Sequence, residues 1–366
     1  MYLASAIGVS ESADEQAVLV SSAEFVLKSS PVRRTLEQRL VDDLRFALHR
    51  AGLRDFAIEK VASRIIIKSV GNAQLAARTV ARVFGVAYAT PAIKVSGSME
   101  VILSALVRTA QTVPPRQTFA IRCHRSSPSH LSTRDVEREG GSEILKQMAE
   151  RSLKVNLSRP DVLISIDLIG ENAYVYTEKL AGPGGLPISS KWKMLAVLDC
   201  GLLSLFAAYV MMRRGCLVQL IVPSSSIEKD YLIDRQLALA RKLRQFVTRE
   251  SYRAFILEID KTPNPQKQAV RLMSLEIAKA RRFRGVILAD ISGSVSLSRA
   301  LYEKSRALGL PIFQPLIGLE INDLKELCQL FDVDLIDLQR ESSAGQESDQ
   351  PVNLNLAEIP VTSVSL

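Results

Sequence analysis

The sequence predicts a multidomain protein of mixed α+β and α/β class, ending in a doubly wound parallel sheet wrapped by helices. Three observations predict it. The chain has 366 residues, long for one hydrophobic core. A Gly/Pro-rich stretch, Ala181 to Ser189 (AGPGGLPIS), interrupts the hydrophobic pattern as a hinge. Before the hinge, short strands and amphipathic helices follow a split βαβ order, and after it strands and helices alternate.

The elements follow from periodicity. Ala17 to Leu27 is an apolar strand, and Thr35 to Ala51 is a helix with Leu36, Leu40, Leu44 and Leu48 on one face. Phe56 to Val61 and Arg64 to Ser69 pair as a hairpin, and a helix from Ala73 to Phe84 ends at Gly85. With the next strand this is the β-α-β-β-α-β order of a ferredoxin-like unit. A second α/β unit begins near Tyr88. It contains helix Met99 to Ala110, strand Thr118 to His124, helix Arg134 to Arg151, and strands Val162 to Leu168 and Asn172 to Leu180.

Beyond the hinge, Met194 to Leu198, Val218 to Val222, Arg253 to Ile259, Gly285 to Ala289 and Ile312 to Pro315 are strands. Helices at Ser204 to Arg213, Asp230 to Phe246, Pro265 to Phe283, Val295 to Leu308 and Asn322 to Phe331 alternate with them. The tail from Ser342 is polar, and Pro351 to Leu366 is long enough to add an edge strand.

Forty-seven Lys and Arg against 39 Asp and Glu give a net charge of +8, which suits a polyanionic partner and equally a solubilising surface. The four cysteines (Cys123, Cys200, Cys216, Cys328) show no metal-ligand or disulfide spacing, so a reducing cytoplasm is expected. The first residues lack the basic and apolar regions of a signal peptide, and no membrane span is expected.

The stretch Trp192 to Gly215 carries the main chemical question. Strand, Gly201 turn and apolar helix form a scaffold on which helix N–H groups could hold a phosphate. Helix-ending runs elsewhere, Lys279 to Arg284 and Arg213-Arg214, suit the negative end of a helix dipole, with RNA contact as the competing use.

Several motifs in order resemble one family. They are Lys28-Ser29 with Val32-Arg33, Thr118-Phe119-Ala120-Ile121-Arg122, Asp135-Val136-Glu137-Arg138, Arg159-Pro160-Asp161-Val162, Gly184-Gly185-Leu186-Pro187, and Tyr209 to Gly215. Together they resemble the THUMP-containing tRNA sulfurtransferases, the tRNA 4-thiouridine synthetases, over roughly Val18 to Gln314. The resemblance implies a ferredoxin-like domain at 1–86, a THUMP domain at 87–181 and a hinge at 182–190. It implies a pyrophosphatase-type (adenine-nucleotide α-hydrolase-like) domain at 191–341 and a tail at 342–366. It also implies ATP, with magnesium, bound by a Ser-Gly-Gly-x-Asp-Ser loop, and a C-terminal cysteine that assists sulfur transfer.

The chain departs at both places. Its loop reads Asp199-Cys200-Gly201-Leu202-Leu203-Ser204, keeping only the second Gly and the final Ser. Cys200 places a Cβ where phosphate would approach backbone. Asp199 puts an anion toward the phosphates, and like charges about 4 Å apart repel by roughly 1 kcal/mol in water and more where water is excluded. Leu203 removes a carboxylate. The later segment Ala289 to Ser296, with Asp290, Gly293 and Ser294, is partly retained, and no cysteine follows Cys328. Cys200 has the helix-start setting that lowers a thiol's pKa, but a small packing residue is the favoured reading there.

The resemblance implies RNA contact through Lys28, Arg33 and Arg34, then Arg122, His124 and Arg125, and then Arg134 and Arg138. Asp135, Glu137 and Glu139 interleave the last two, which is also the look of a solvated helix face. Three functions remain open. The first is a tRNA-binding or structured-RNA-binding member without competent adenylation and without a cofactor. The second is an active sulfurtransferase with a divergent loop, using ATP and magnesium. The third is a scaffold that dimerises or pairs with an intact paralogue.

Overall fold

The computed structural model describes residues 15–22, 28–61, 64–68, 71–128, 130–225, 229–248, 252–259, 267–291, 298–338 and 361–365. Its first strand is covered on both faces through its centre: Ala17, Val18, Leu19 and Val20 of β1 (Glu15–Ser21) are all buried, which accounts for their unbroken apolar run. α1 (Ser30–Arg50), β2 (Ala57–Val61), β3 (Arg64–Lys68), α2 (Ala73–Val80) and β4 (Tyr88–Ser96) complete the β-α-β-β-α-β unit.

α1 begins before the expected Thr35, because Pro31 in its first turn presets the helical φ. α2 stops at Val80 rather than Phe84, and the chain turns away to Gly85, whose φ of 96° no helix continues.

One carboxylate braces α1 against β2. Glu37 is buried and accepts from Arg33, at 2.7 Å, and from Lys60. Burial pushes its carboxyl up, but the bonds and charges of Lys60 and Arg33 outweigh that and leave it below its ordinary value of 4.5. A depressed carboxyl stabilises the fold above its unfolded pKa, and that contribution is lost as pH falls through the folded value. The wild type should therefore lose stability below about pH 4.5 more steeply than Glu37→Gln. Parallel urea midpoints against pH for the two proteins would refute this.

Then come α3 (Met99–Ala110), β5 (Thr118–Arg125), α4 (Thr133–Gln147), β6 (Lys154–Val155), β7 (Val162–Ile169), β8 (Asn172–Tyr176) and β9 (Leu180–Ala181). The expected helix Arg134 to Arg151 ends at Gln147, and its last residues form a separate 3-10 turn, Ala149–Arg151. Strands from before and after Tyr88 join one nine-stranded sheet, ordered β2-β3-β1-β4-β8-β7-β5-β6 with β9 on β4. α3 packs on β4, β7 and β8, and α4 on β5, over Ile102, Leu106, Val136, Ile144, Ile164 and Val175.

The Arg159-Pro160-Asp161-Val162 segment has a structural job here. Asp161 accepts from the Thr118 N–H at 2.8 Å and the Thr118 hydroxyl at 2.7 Å, pinning the start of β7 to the start of β5.

Contact density divides the chain into residues 1–82 with 86–184, and residues 83–85 with 185–366. The second unit holds β10 (Ser189–Val197), α5 (Gly201–Arg213), β11 (Cys216–Ser225), α6 (Lys229–Arg244), β12 (Arg253–Ile259) and α7 (Lys267–Ala280). β13 (Val286–Ile287), α8 (Arg299–Leu308), β14 (Ile312–Phe313), α9 (Lys325–Phe331) and β15 (Val361–Ser365) follow. The sheet order is β14-β13-β10-β11-β12-β15, parallel except for β15, which is antiparallel on β12 at the expected edge. α5 is apolar on every side because it is buried on every side, with Leu202 to Tyr209 all covered. Among the described residues no helix is long and apolar enough to cross a membrane.

The hinge motif is locked to α5. Leu186 N–H donates to the Arg213 carbonyl at 2.9 Å, and Gly185 (φ 71°) sits so close that a Cβ would lie 2.1 Å from that oxygen. Gly185→Ala should cost about 1–3 kcal/mol from backbone strain alone, with the clash added. A urea midpoint equal to wild type would show the contact to be slack.

Candidate functional site

In the parallel sheet the chain moves from β10 to β11 and β12 on one side, then returns to β13 and β14 on the other. The crevice at the carboxyl ends of β10 and β13 is thus the switch point, where open α/β sheets hold ligands. Asp199 follows β10 and Asp290 follows β13 there.

A guanidinium fills the gap between them. Arg271, from the first part of α7, donates through Nε to Asp199 at 2.7 Å and through Nη2 to Asp290 at 3.0 Å. The three side chains are 4%, 2% and 4% exposed, so the triad is internal. Gln314 donates to the other Asp290 oxygen at 2.6 Å, and the Ser204 hydroxyl reaches Asp199 at 3.5 Å. Burial pulls the Arg271 pKa down, but Asp199 and Asp290 more than reverse this and hold the cation charged. With two carboxylates to one guanidinium, the formal balance of the triad is −1.

The loop residues fall into place around it. Asp199 does not project toward a ligand as expected but turns inward to Arg271. Cys200 is the N-cap residue of α5, Gly201 turns the chain at φ 51°, and the Ser204 hydroxyl accepts the Cys200 N–H at 3.0 Å. Leu203 is 5% exposed within the core cluster that includes Phe206, Ala289 and Ile291. The Cys200 thiol is pushed up to about 12, by burial first and the Asp199 carboxylate next, which favours the packing residue over an activated thiol. Cys328 is 4% exposed, as a packing thiol should be. Gly293 and Ser294 lie outside the described residues.

Sequence reasoning missed Arg271 and Gln314. Arg271 lies in a buried row with Val270, Met273, Ser274 and Leu275, and a lone cation in an apolar helix face was the available signal.

The candidate RNA residues separate into two places. Strand polarity alternates from β1 through β4 and β8 to β7, and β5 runs with β7. β5 therefore runs opposite to β1. Lys28, Arg33 and Arg34, at the start of α1, lie toward the end of the sheet where β1 finishes. Arg122, His124 and Arg125 lie at the other end, followed by Arg134 and Arg138 on α4. Arg33 pairs with Glu37, Arg122 donates to the Leu157 carbonyl at 2.7 Å, Arg138 pairs with Asp135 at 2.9 Å, and Arg125 is also engaged within the fold. Lys28, Arg34, His124, Arg125 and Arg134 are exposed.

A ferredoxin-like half and a second α/β half on one sheet, followed by a doubly wound domain with a switch-point loop, define the three-part THUMP class. Residues 17–90 match the family described as the ThiI ferredoxin-like domain, 103–178 the THUMP domain, and 189–340 the thiamine biosynthesis protein (ThiI). A probable tRNA sulfurtransferase of Aeropyrum pernix is 29% identical over 92% of this chain and 88% of its own. The chain belongs to the THUMP-containing tRNA sulfurtransferase family.

Two solved structures share the fold. PH1313 of Pyrococcus horikoshii aligns with a TM-score of 0.69 at 23% identity, covering 87% of this chain and 100% of its own. A 4-thiouridine synthetase crystallised with RNA and bound ATP aligns with a TM-score of 0.69 at 18% identity, covering 89% and 86%.

Proposed function

We propose that this chain is a tRNA-directed RNA-binding member of its family whose C-terminal domain does not adenylate RNA. The observation that carries this is the Arg271 bridge between Asp199 and Asp290, which fills the switch-point crevice with the protein's own charges. The residues present do not fit a nucleotide triphosphate. The triad alone carries a formal −1, offset by Lys267 in electrostatic reach of Cys200, so the loop holds no surplus positive charge for a polyphosphate, and displacing Arg271 would strand two buried carboxylates. Cys200 and Leu203 replace the small and acidic residues of the family loop, and Cys200 is too weak an acid to offer a thiolate near neutral pH.

RNA binding is supported by family membership and by exposed cations at both ends of the N-terminal sheet. Contacts of this kind grip phosphates and shape rather than sequence. The deciding measurement is calorimetric titration of the full chain with magnesium and ATP into the millimolar range, beside gel shifts with tRNA at stepped salt. No saturable heat and a salt-weakened shift are expected. Saturable ATP binding would instead favour an active sulfurtransferase with a divergent loop, and absence of any shift at low salt would leave the scaffold role.

A further inference from the structure

At the amino-terminal ends of the same parallel strands, away from the crevice, unit two gathers cations that no carboxylate among the described residues pairs. Lys193 comes from β10, Arg253 opens β12, and Arg281, Arg282 and Arg284 lie between α7 and β13. Two buried rings organise them. Lys193 Nζ lies 4.3 Å from the centre of the Phe283 ring and Arg281 Cζ lies 4.4 Å from that of Phe255, and the rings meet edge-on at 6.3 Å. The Arg284 N–H donates to the Lys193 carbonyl at 2.8 Å, joining the two segments. Burial first, then the charges of Arg281 and Arg253, lowers the Lys193 pKa, which places these groups in electrostatic reach of one another.

Helix capping does not explain the cluster. α7 ends at Ala280, where the backbone N–H groups of Arg281, Arg282 and Phe283 already cap its last carbonyls, Arg282 sits in the left-handed region at φ 56°, and among the described residues Lys279 is the one side chain of this run that donates to a helix-end carbonyl, that of Leu308 at 2.8 Å. Nor does charge pairing: none of Lys193, Arg253, Arg281, Arg282 and Arg284 forms an ion pair with a carboxylate among the described residues. Like charges crowded without a counter-charge oppose folding, so a polyanionic partner is the arrangement's natural complement. Beside the cluster, in the irregular stretch where the β10 register shifts between Ser189 and Lys193, Trp192 stands 58% exposed. Cations on a backbone track with an exposed aromatic ring are the two components by which proteins hold unpaired nucleotides.

We infer that Lys193, Arg253, Arg281 and Arg284, with Trp192, form a second RNA-contacting surface on the C-terminal unit, gripping phosphates while a base stacks on the indole. The inference rests on the RNA-directed reading above but uses none of its residues. Trp192 is the chain's single tryptophan, so its emission reports on this surface alone.

The test titrates the full chain with tRNA at stepped salt, following Trp192 emission and affinity together, and repeats it with Arg281→Gln/Arg284→Gln. Both arginines are exposed, and matching urea midpoints would certify the variant's fold. Saturable quenching is expected in the wild type. In the variant, affinity should fall about tenfold and the log–log salt slope should flatten by about 1.5–2. Unchanged affinity and slope, or Trp192 emission that stays fixed at saturating RNA, overturns the surface while the RNA-directed reading stands. If polyglutamate of equal charge competes as well as tRNA, the surface takes acidic protein and the assignment to RNA falls. If no tRNA binds the wild type at low salt, both readings fall.

Discussion

Arg271→Met should destabilise the C-terminal unit by about 3–5 kcal/mol, the cost of leaving buried charge without its partner. The substitution keeps the stem volume and removes the fork. Asp199 and Asp290 then remain inside the fold, each with a neutral donor, Ser204 or Gln314, in place of a cation. Arg271→Lys should recover only part of the loss, since one ammonium cannot present two fork edges to two carboxylates. The sharper check is the triple variant Arg271→Met/Asp199→Asn/Asp290→Asn. A triad replaced entirely by neutral groups of similar shape should regain most of the stability. Urea unfolding of the four proteins measures this. If Arg271→Met is as stable as wild type, the triad is ornamental and the account of the filled crevice fails.

The same triad shows what sequence could and could not convey. Most of the order of elements was legible because each carries its own period: four leucines on α1, the apolar runs Ala17 to Val20 in β1 and Met194 to Val197 in β10, the Gly/Pro hinge. The two-residue strands β6 and β9 carry no period, and Asn172 to Leu180 reads as one strand where the chain forms β8 and β9. Boundaries shifted where local chemistry intervened, as at Pro31 in α1 and Gly85 after α2. The altered loop was legible too, since Asp199, Cys200 and Leu203 are neighbours. Their meaning was not, because the group that gives Asp199 a purpose lies 72 residues away on another helix. The candidate RNA residues show the converse. They look like successive parts of one surface in sequence, yet strand polarity sends the start of α1 and the end of β5 to opposite ends of the sheet. The run Lys279 to Arg284 looked like a helix cap until its partners, Lys193, Phe255 and Arg253, were brought to it by the parallel strands.

Leu203→Asp restores the residue of the family pattern, and it should damage the domain rather than revive the site. Leu203 is 5% exposed in the core cluster that includes Phe206, Ala289 and Ile291. Truncating a buried leucine costs about 2–5 kcal/mol. The introduced carboxylate would add the penalty of a charge taken out of water, beside Asp199 and with Arg271 already committed. A loss at or above the upper end of that range is expected by urea unfolding. Adding Asp199→Ser and Cys200→Gly rebuilds the family loop on paper, but Asp290 still holds Arg271 in the crevice with Gln314 behind it. Calorimetry on that triple variant should therefore show no saturable ATP binding. A stable triple variant that binds ATP would mean that the loop alone separates this chain from a working adenylating enzyme, and that Arg271 yields to phosphate rather than excluding it.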